Sequence, residues 1–108
     1  MSTERMLVEI LYFDGCPNCR AVRELVERVV IELTISPEIR LVEVPDTDTA
    51  ERLHFLGSPT VRVDGNDIEP GADARDGFVL ACRVYRTPSG LSGRPDERWL
   101  RDALSSAT

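Results

Sequence analysis

Two cysteines stand where a strand hands over to a helix, and this placement limits what the chain can fold into more than any other feature. Residues 7–13, Leu-Val-Glu-Ile-Leu-Tyr-Phe, form an apolar run; Asp14-Gly15 breaks it, and Cys16-Pro17-Asn18-Cys19 follows. Beyond the pair, Val22, Leu25, Val26, Val29, Val30 and Leu33 recur at helical spacing, with Arg20, Arg23, Glu24, Glu27 and Arg28 on the opposite side. A run that is apolar on both faces is what a strand inside a sheet requires. A cysteine at a helix N-terminus faces unpaired backbone N–H groups and the positive end of the helix dipole, which favour thiolate over thiol. The thiolate is the nucleophile of disulfide chemistry, so the pair reads first as a redox site.

The rest of the chain supplies a sheet for that first strand. The spacing predicts a strand over residues 6–13, with a polar lead-in over residues 1–5. A helix then runs from about Pro17, which suits a first helical turn, to residues 34–36 ahead of Pro37. A second β-type run spans residues 39–44. Asp48 and Glu51 have capping-box spacing for a short helix ending near Leu56 and Gly57. Residues 61–63 read as a third strand, with Asp64-Gly65 a hairpin turn. Residues 69–77 read as loop, 78–85 as strand-like around Cys82, and 87–95 as loop again. Pro95 opens a last helix with Trp99, Leu100, Ala103 and Leu104 on one side. The order β-α-β-α-β-(β)-α with a crossover implies a parallel first pair.

Composition narrows the function. At 108 residues the chain is expected to be one domain over residues 1–108. A net charge of -6 offers no basic surplus to neutralise phosphates, which argues against a nucleic-acid partner. All 13 basic residues are arginine, so lysine chemistry is excluded. The apolar run holding Glu9 is too short for a bilayer and lacks a cleavage pattern, giving a soluble cytoplasmic expectation with no membrane partner. Three cysteines do not suit a disulfide-stapled scaffold. In a cytosolic chain a CxxC near a βαβ pattern points to redox chemistry or metal.

With Cys16-Pro17-Asn18-Cys19 after the first strand and Ser58-Pro59-Thr60 before the third, the chain resembles the thioredoxin-like superfamily. The likeness covers residues 6–68 and the final helix. It implies an α/β thioredoxin-like fold, a central mixed sheet of about four strands flanked by helices. By this resemblance Cys16 is the attacking thiol, Cys19 the resolving thiol, and Pro59 a cis proline facing them. Ser58 would offer backbone groups to an extended substrate, with Pro17, Asn18 and Thr60 beside it. Phe13-Asp14-Gly15 replaces the tryptophan usual before a thioredoxin pair, and the Pro-first dipeptide is closer to glutaredoxins. Residues 71–94 have no counterpart in a minimal fold of this kind. Small bacterial proteins with a CPxC, an SPT-type turn and a later Cys-Arg pair are sometimes labelled alkylmercury lyases, and Cys82-Arg83 completes that likeness.

The function expected from these readings is thiol–disulfide oxidoreduction through Cys16 and Cys19, without a cofactor. The partners would be a disulfide-containing protein or low-molecular-weight thiol, and a reductase for recycling. Two alternatives belong to other classes. In one, Cys16, Cys19 and Cys82 hold mercury, copper(I) or zinc as thiolates, or handle organomercurials. No second CxxC or HxxxH completes a four-ligand zinc site. In the other, the domain is a non-catalytic binding module. Cys82 itself is a third thiol or a buried small hydrophobe among Val79, Leu80, Ala81 and Val84. His54, the sole histidine, reads as structural, and Trp99 as a core anchor.

Overall fold

A computed structural model of the chain describes residues 6–106; the lead-in over residues 1–5 lies outside them. Strand β1 (Leu7–Tyr12) leads to helix α1 (Cys19–Glu32), strand β2 (Glu38–Glu43), helix α2 (Thr47–Arg52), strand β3 (Thr60–Val63) and strand β4 (Asn66–Asp67). A 3-10 turn (Ala72–Ala74), strands β5 (Tyr85–Thr87) and β6 (Gly90–Ser92) and helix α3 (Glu97–Ser106) follow. The main sheet has the order β2-β1-β3-β4, with β1 parallel to β2 and antiparallel to β3. Among the described residues it is a mixed four-strand sheet in an α/β protein with three α-helices.

Alternation along the strands divides the core in two. Val8 and Ile10 of β1 pair with Val63 and Val61 of β3 and face α1 and α3, whose Val22, Val26, Val29, Leu100 and Leu104 are buried with them. On the other side Leu11 packs with Val44, Ala50 and Phe55 around α2. Tyr12 follows Val8 and Ile10 on the α1 side, and Leu41 stands opposite Ile10 on β2, the edge strand.

Several local expectations shift, each for a physical reason. Helix α1 starts at Cys19 rather than Pro17, with Asn18 as its cap residue. The cap of α2 is Asp46, not Asp48: its backbone is extended and its carboxylate accepts the Thr49 N–H at 2.8 Å. That helix ends at Arg52, because His54 takes a left-handed conformation (φ 55°) before Leu56 is reached. Asp64 and Gly65 both have positive φ, the two-residue turn geometry expected there, and they join β3 to β4. Residues 87–95, expected as loop, contain the turn and second strand of the β5–β6 hairpin.

The largest departure lies between Phe78 and Tyr85. Instead of a regular strand with an apolar interior, this segment makes one isolated parallel bridge, Ser58 to Cys82. Its apolar residues point outward, with Val79 46% and Val84 57% exposed, and Cys82 is exposed rather than buried. Arg83 and Tyr85 are the residues turned inward.

Candidate thiol site and the segment beside it

The thiol pair sits at the C-terminal end of the central strand. After Tyr12 the chain turns through Asp14 and Gly15, the latter at φ 89°, and the Cys16 N–H donates to the Phe13 carbonyl at 3.2 Å. This turn holds Cys16 close to the end of β1, one turn ahead of α1. The Val22 N–H donates to the Asn18 carbonyl, so the amides of Cys19, Arg20 and Ala21 form the open end of the helix. The Asn18 side chain makes no capping bond there, and no acidic residue occupies the first turn. It lies instead where a β-carbon on Gly93 would stand, with its amide nitrogen 2.3 Å from that position. The side-chain-free Gly93 therefore lets the loop after β6 close over the cap of α1.

Cys16 and Cys19 are both half-buried and line one cleft of about 530 Å³ with Tyr12, Phe13, Gly15, Arg20, Arg23 and Leu41. The cleft opens on the α1 side of the sheet, toward β2. Burial pushes the Cys19 thiol up, the charge of an ionised Cys16 pushes it further, and Arg23 acts the other way. The net effect raises the Cys19 thiol above its ordinary value. Arg20 and Arg23 are the charged residues lining the cleft. Each pairs through Nε with a glutamate four residues on, Glu24 at 3.5 Å and Glu27 at 3.3 Å. Pro17 is exposed in the turn.

The other side of the pair is the β3 side, and the chain itself fills it. The Ser58–Pro59 peptide is cis, and Ser58 is buried with its Oγ accepting the Phe13 N–H at 3.3 Å. The backbone groups expected to be offered by Ser58 are both taken: its N–H donates to the Ala81 carbonyl at 2.8 Å, and its carbonyl accepts the Arg83 N–H at 2.9 Å. Thr60, expected beside a substrate, is fully buried; its hydroxyl donates to the Gly57 carbonyl and accepts from Arg83.

Arg83 is what holds this segment down, and sequence reasoning missed it. Its side chain is 1% exposed and reaches Asp67 at 2.7 Å and Glu69 at 2.6 Å. Its guanidinium lies 4.3 Å over the Tyr85 ring, and the Tyr85 hydroxyl donates to the Pro59 carbonyl. Burial works against the Arg83 charge, but hydrogen bonding and the charges around it prevail and hold its pKa above the usual value. Burial likewise pushes the Tyr85 phenol up, so it stays a donor. Gly57, at φ 122°, makes the close approach possible: a β-carbon there would stand 2.9 Å from the Arg83 Cβ and 3.1 Å from the Ala81 carbonyl oxygen.

The structure brings Cys16, Cys19 and Asn18 together and places Ser58 next to Phe13. It does not put Cys82 in the lining of the thiol cleft. Among the described residues no three Cys, His, Asp or Glu side chains are gathered as a metal-holding group, and no helix is long and apolar enough to cross a membrane. His54 is exposed and stacks on Phe78 at 4.7 Å. The chain matches no family model and no curated protein.

Proposed function

We propose that this is a thioredoxin-like domain acting as a thiol–disulfide oxidoreductase, with Cys16 the attacking and Cys19 the resolving thiol. The observation that carries the reading is the pair itself: two half-buried thiols in one cleft at the open end of α1, with burial pushing the Cys19 thiol up. The β2-β1-β3-β4 order, with a parallel β1-α1-β2 crossover, supports the superfamily reading.

The chemistry runs in two steps. The Cys16 thiolate attacks one sulfur of a disulfide RSSR; the S–S bond breaks, RS⁻ leaves and takes a proton, and Cys16 carries RS as a mixed disulfide. Cys19 then gives up its proton and attacks the Cys16 sulfur, releasing the second RS⁻, which is protonated in turn. One disulfide is reduced to two thiols while the two cysteines are oxidised to a Cys16–Cys19 bond. Arg23, which eases Cys19 ionisation, favours the second step.

Soft-metal binding is the less favoured reading, because among the described residues no third Cys, His, Asp or Glu is gathered with the two thiols as a metal-holding group. The test is titration in graded redox buffers, with alkylation trapping and mass mapping of each cysteine. A reversible Cys16–Cys19 bond at a potential within roughly -120 to -270 mV supports the reading. Thiols that stay reduced throughout, or stay masked until a chelator is added, overturn it.

A further inference from the structure

We infer that the Cys16–Cys19 pair serves a small anionic disulfide rather than a disulfide carried on an extended polypeptide. This rests on the oxidoreductase reading above and names its substrate class.

The case against a polypeptide rests on the backbone at Ser58, the place where the superfamily resemblance would seat one. An extended chain that docks by strand pairing needs unpaired N–H and C=O groups on the protein. Beside the thiols on the β3 side, the groups at Ser58 are both bonded to the chain's own residues 81 and 83. This segment is not a loose cover. Arg83 fixes it through Asp67, Glu69 and Thr60, the Val79 N–H donates to the Phe55 carbonyl, and Gly57 leaves no space between the two backbones. Displacing it would strip the buried Arg83 guanidinium of its two carboxylates and leave Asp67 without its cation.

The opposite side is where a substrate fits. Strand order places β2 across β1 from β3, and the cleft lies there, lined by Tyr12, Phe13 and Leu41 together with the two thiols. Its volume of about 530 Å³ is that of a small-molecule site. The charged residues in its lining are Arg20 and Arg23, each beside a glutamate of its own helix. Their glutamate contacts run through Nε, and a guanidinium carries five donor N–H groups, so a carboxylate can be met as well. Each reduction follows the two-step exchange given above, with the small disulfide as oxidant.

The test compares four disulfides with the reduced protein: dithiodipropionate (dianionic), bis(2-hydroxyethyl) disulfide (neutral), cystamine (dicationic), and an uncharged extended peptide pair joined by a disulfide. Each rate is normalised to the rate of the same disulfide with dithiothreitol, which removes intrinsic reactivity. The expected order is dianion, neutral, dication. The dianion should lead the dication by about tenfold at low ionic strength and less in high salt. The peptide should be at least about tenfold slower than the neutral small disulfide. The exposed double variant Arg20→Glu/Arg23→Glu should invert the charge order. A peptide rate equal to the neutral small disulfide overturns the inference while leaving the oxidoreductase reading in place. So does a charge order that the double variant does not move. Failure of all four probes to form a Cys16–Cys19 bond overturns the oxidoreductase reading itself.

Discussion

At the scale of single residues, the thiol pair is asymmetric for reasons that can be separated by substitution. Burial and the charge of Cys16 both raise Cys19, and Arg23 opposes them. Cys16→Ser removes one of the two raising causes, so the Cys19 titration midpoint should fall toward the ordinary thiol value, about 8.5, without reaching it. Arg23→Ser should move the midpoint further up. Thiolate absorbance against pH reads both shifts, and a midpoint identical in wild type and both variants would remove the electrostatic account. The pair was legible in the sequence because CxxC after an apolar run is a local signal. The role of Gly57 was not. A glycine after a short helix reads as a helix terminator, whereas here α2 stops five residues earlier and Gly57 serves the approach of a segment more than twenty residues away.

At the scale of elements, β1, α1, β2 and β3 were readable to within a few residues, because their apolar periodicity matches the faces they bury. The segment from Phe78 to Tyr85 was expected to be strand-like around Cys82, with a buried Cys82 as one reading. Over residues 82–85 Arg83 and Tyr85 face inward while Cys82 and Val84 face solvent. Composition assigns an arginine to the surface unless its partners are known, and these partners, Asp67 and Glu69, come from β4 and the turn after it. The clamp has a measurable signature. Arg83→Met leaves the Asp67 carboxylate without its cation, while Glu69 keeps its pair with Arg75 at 3.0 Å, and should cost about 3 kcal/mol or more in denaturant unfolding. Adding Asp67→Asn to that variant should recover part of the loss, since the uncompensated charge is then removed. If the double variant is no more stable than Arg83→Met, the Asp67 carboxylate does not act through Arg83.

At the scale of the whole molecule, α3 is tied to α1 by an exposed network as well as by its apolar face. Arg28 pairs with Glu32 and Glu97, and Arg101 pairs with the same two glutamates. Glu32 is held low by hydrogen bonds from Arg101 and then Arg28, and Glu97 by Arg28 and then Arg101. Because both carboxyls titrate lower folded than unfolded, their stabilisation is complete above the unfolded glutamate value, about 4.3. It is lost as pH falls through the lower folded values. Thermal melts from pH 7 to pH 3 should show Glu32→Gln/Glu97→Gln below wild type at neutral pH, with the gap closing in acid and shrinking in high salt. A gap constant across that range would assign the effect to packing instead. This network could not be read from the sequence, since α1 and α3 lie at opposite ends of the chain and only the fold brings Arg28 to Glu97.

The docking of residues 81–83 on Ser58 has one more consequence, for how copies of this protein behave toward each other. Unpaired backbone at the margin of a sheet is a template on which another molecule can add a strand, the usual route to swapped dimers and fibrils. At Ser58 that template is consumed inside the molecule. At the other margin, β2 carries Glu38, Arg40 and Glu43 exposed along its length. The same stretch of chain that takes up the Ser58 backbone thus also leaves no template for strand addition there.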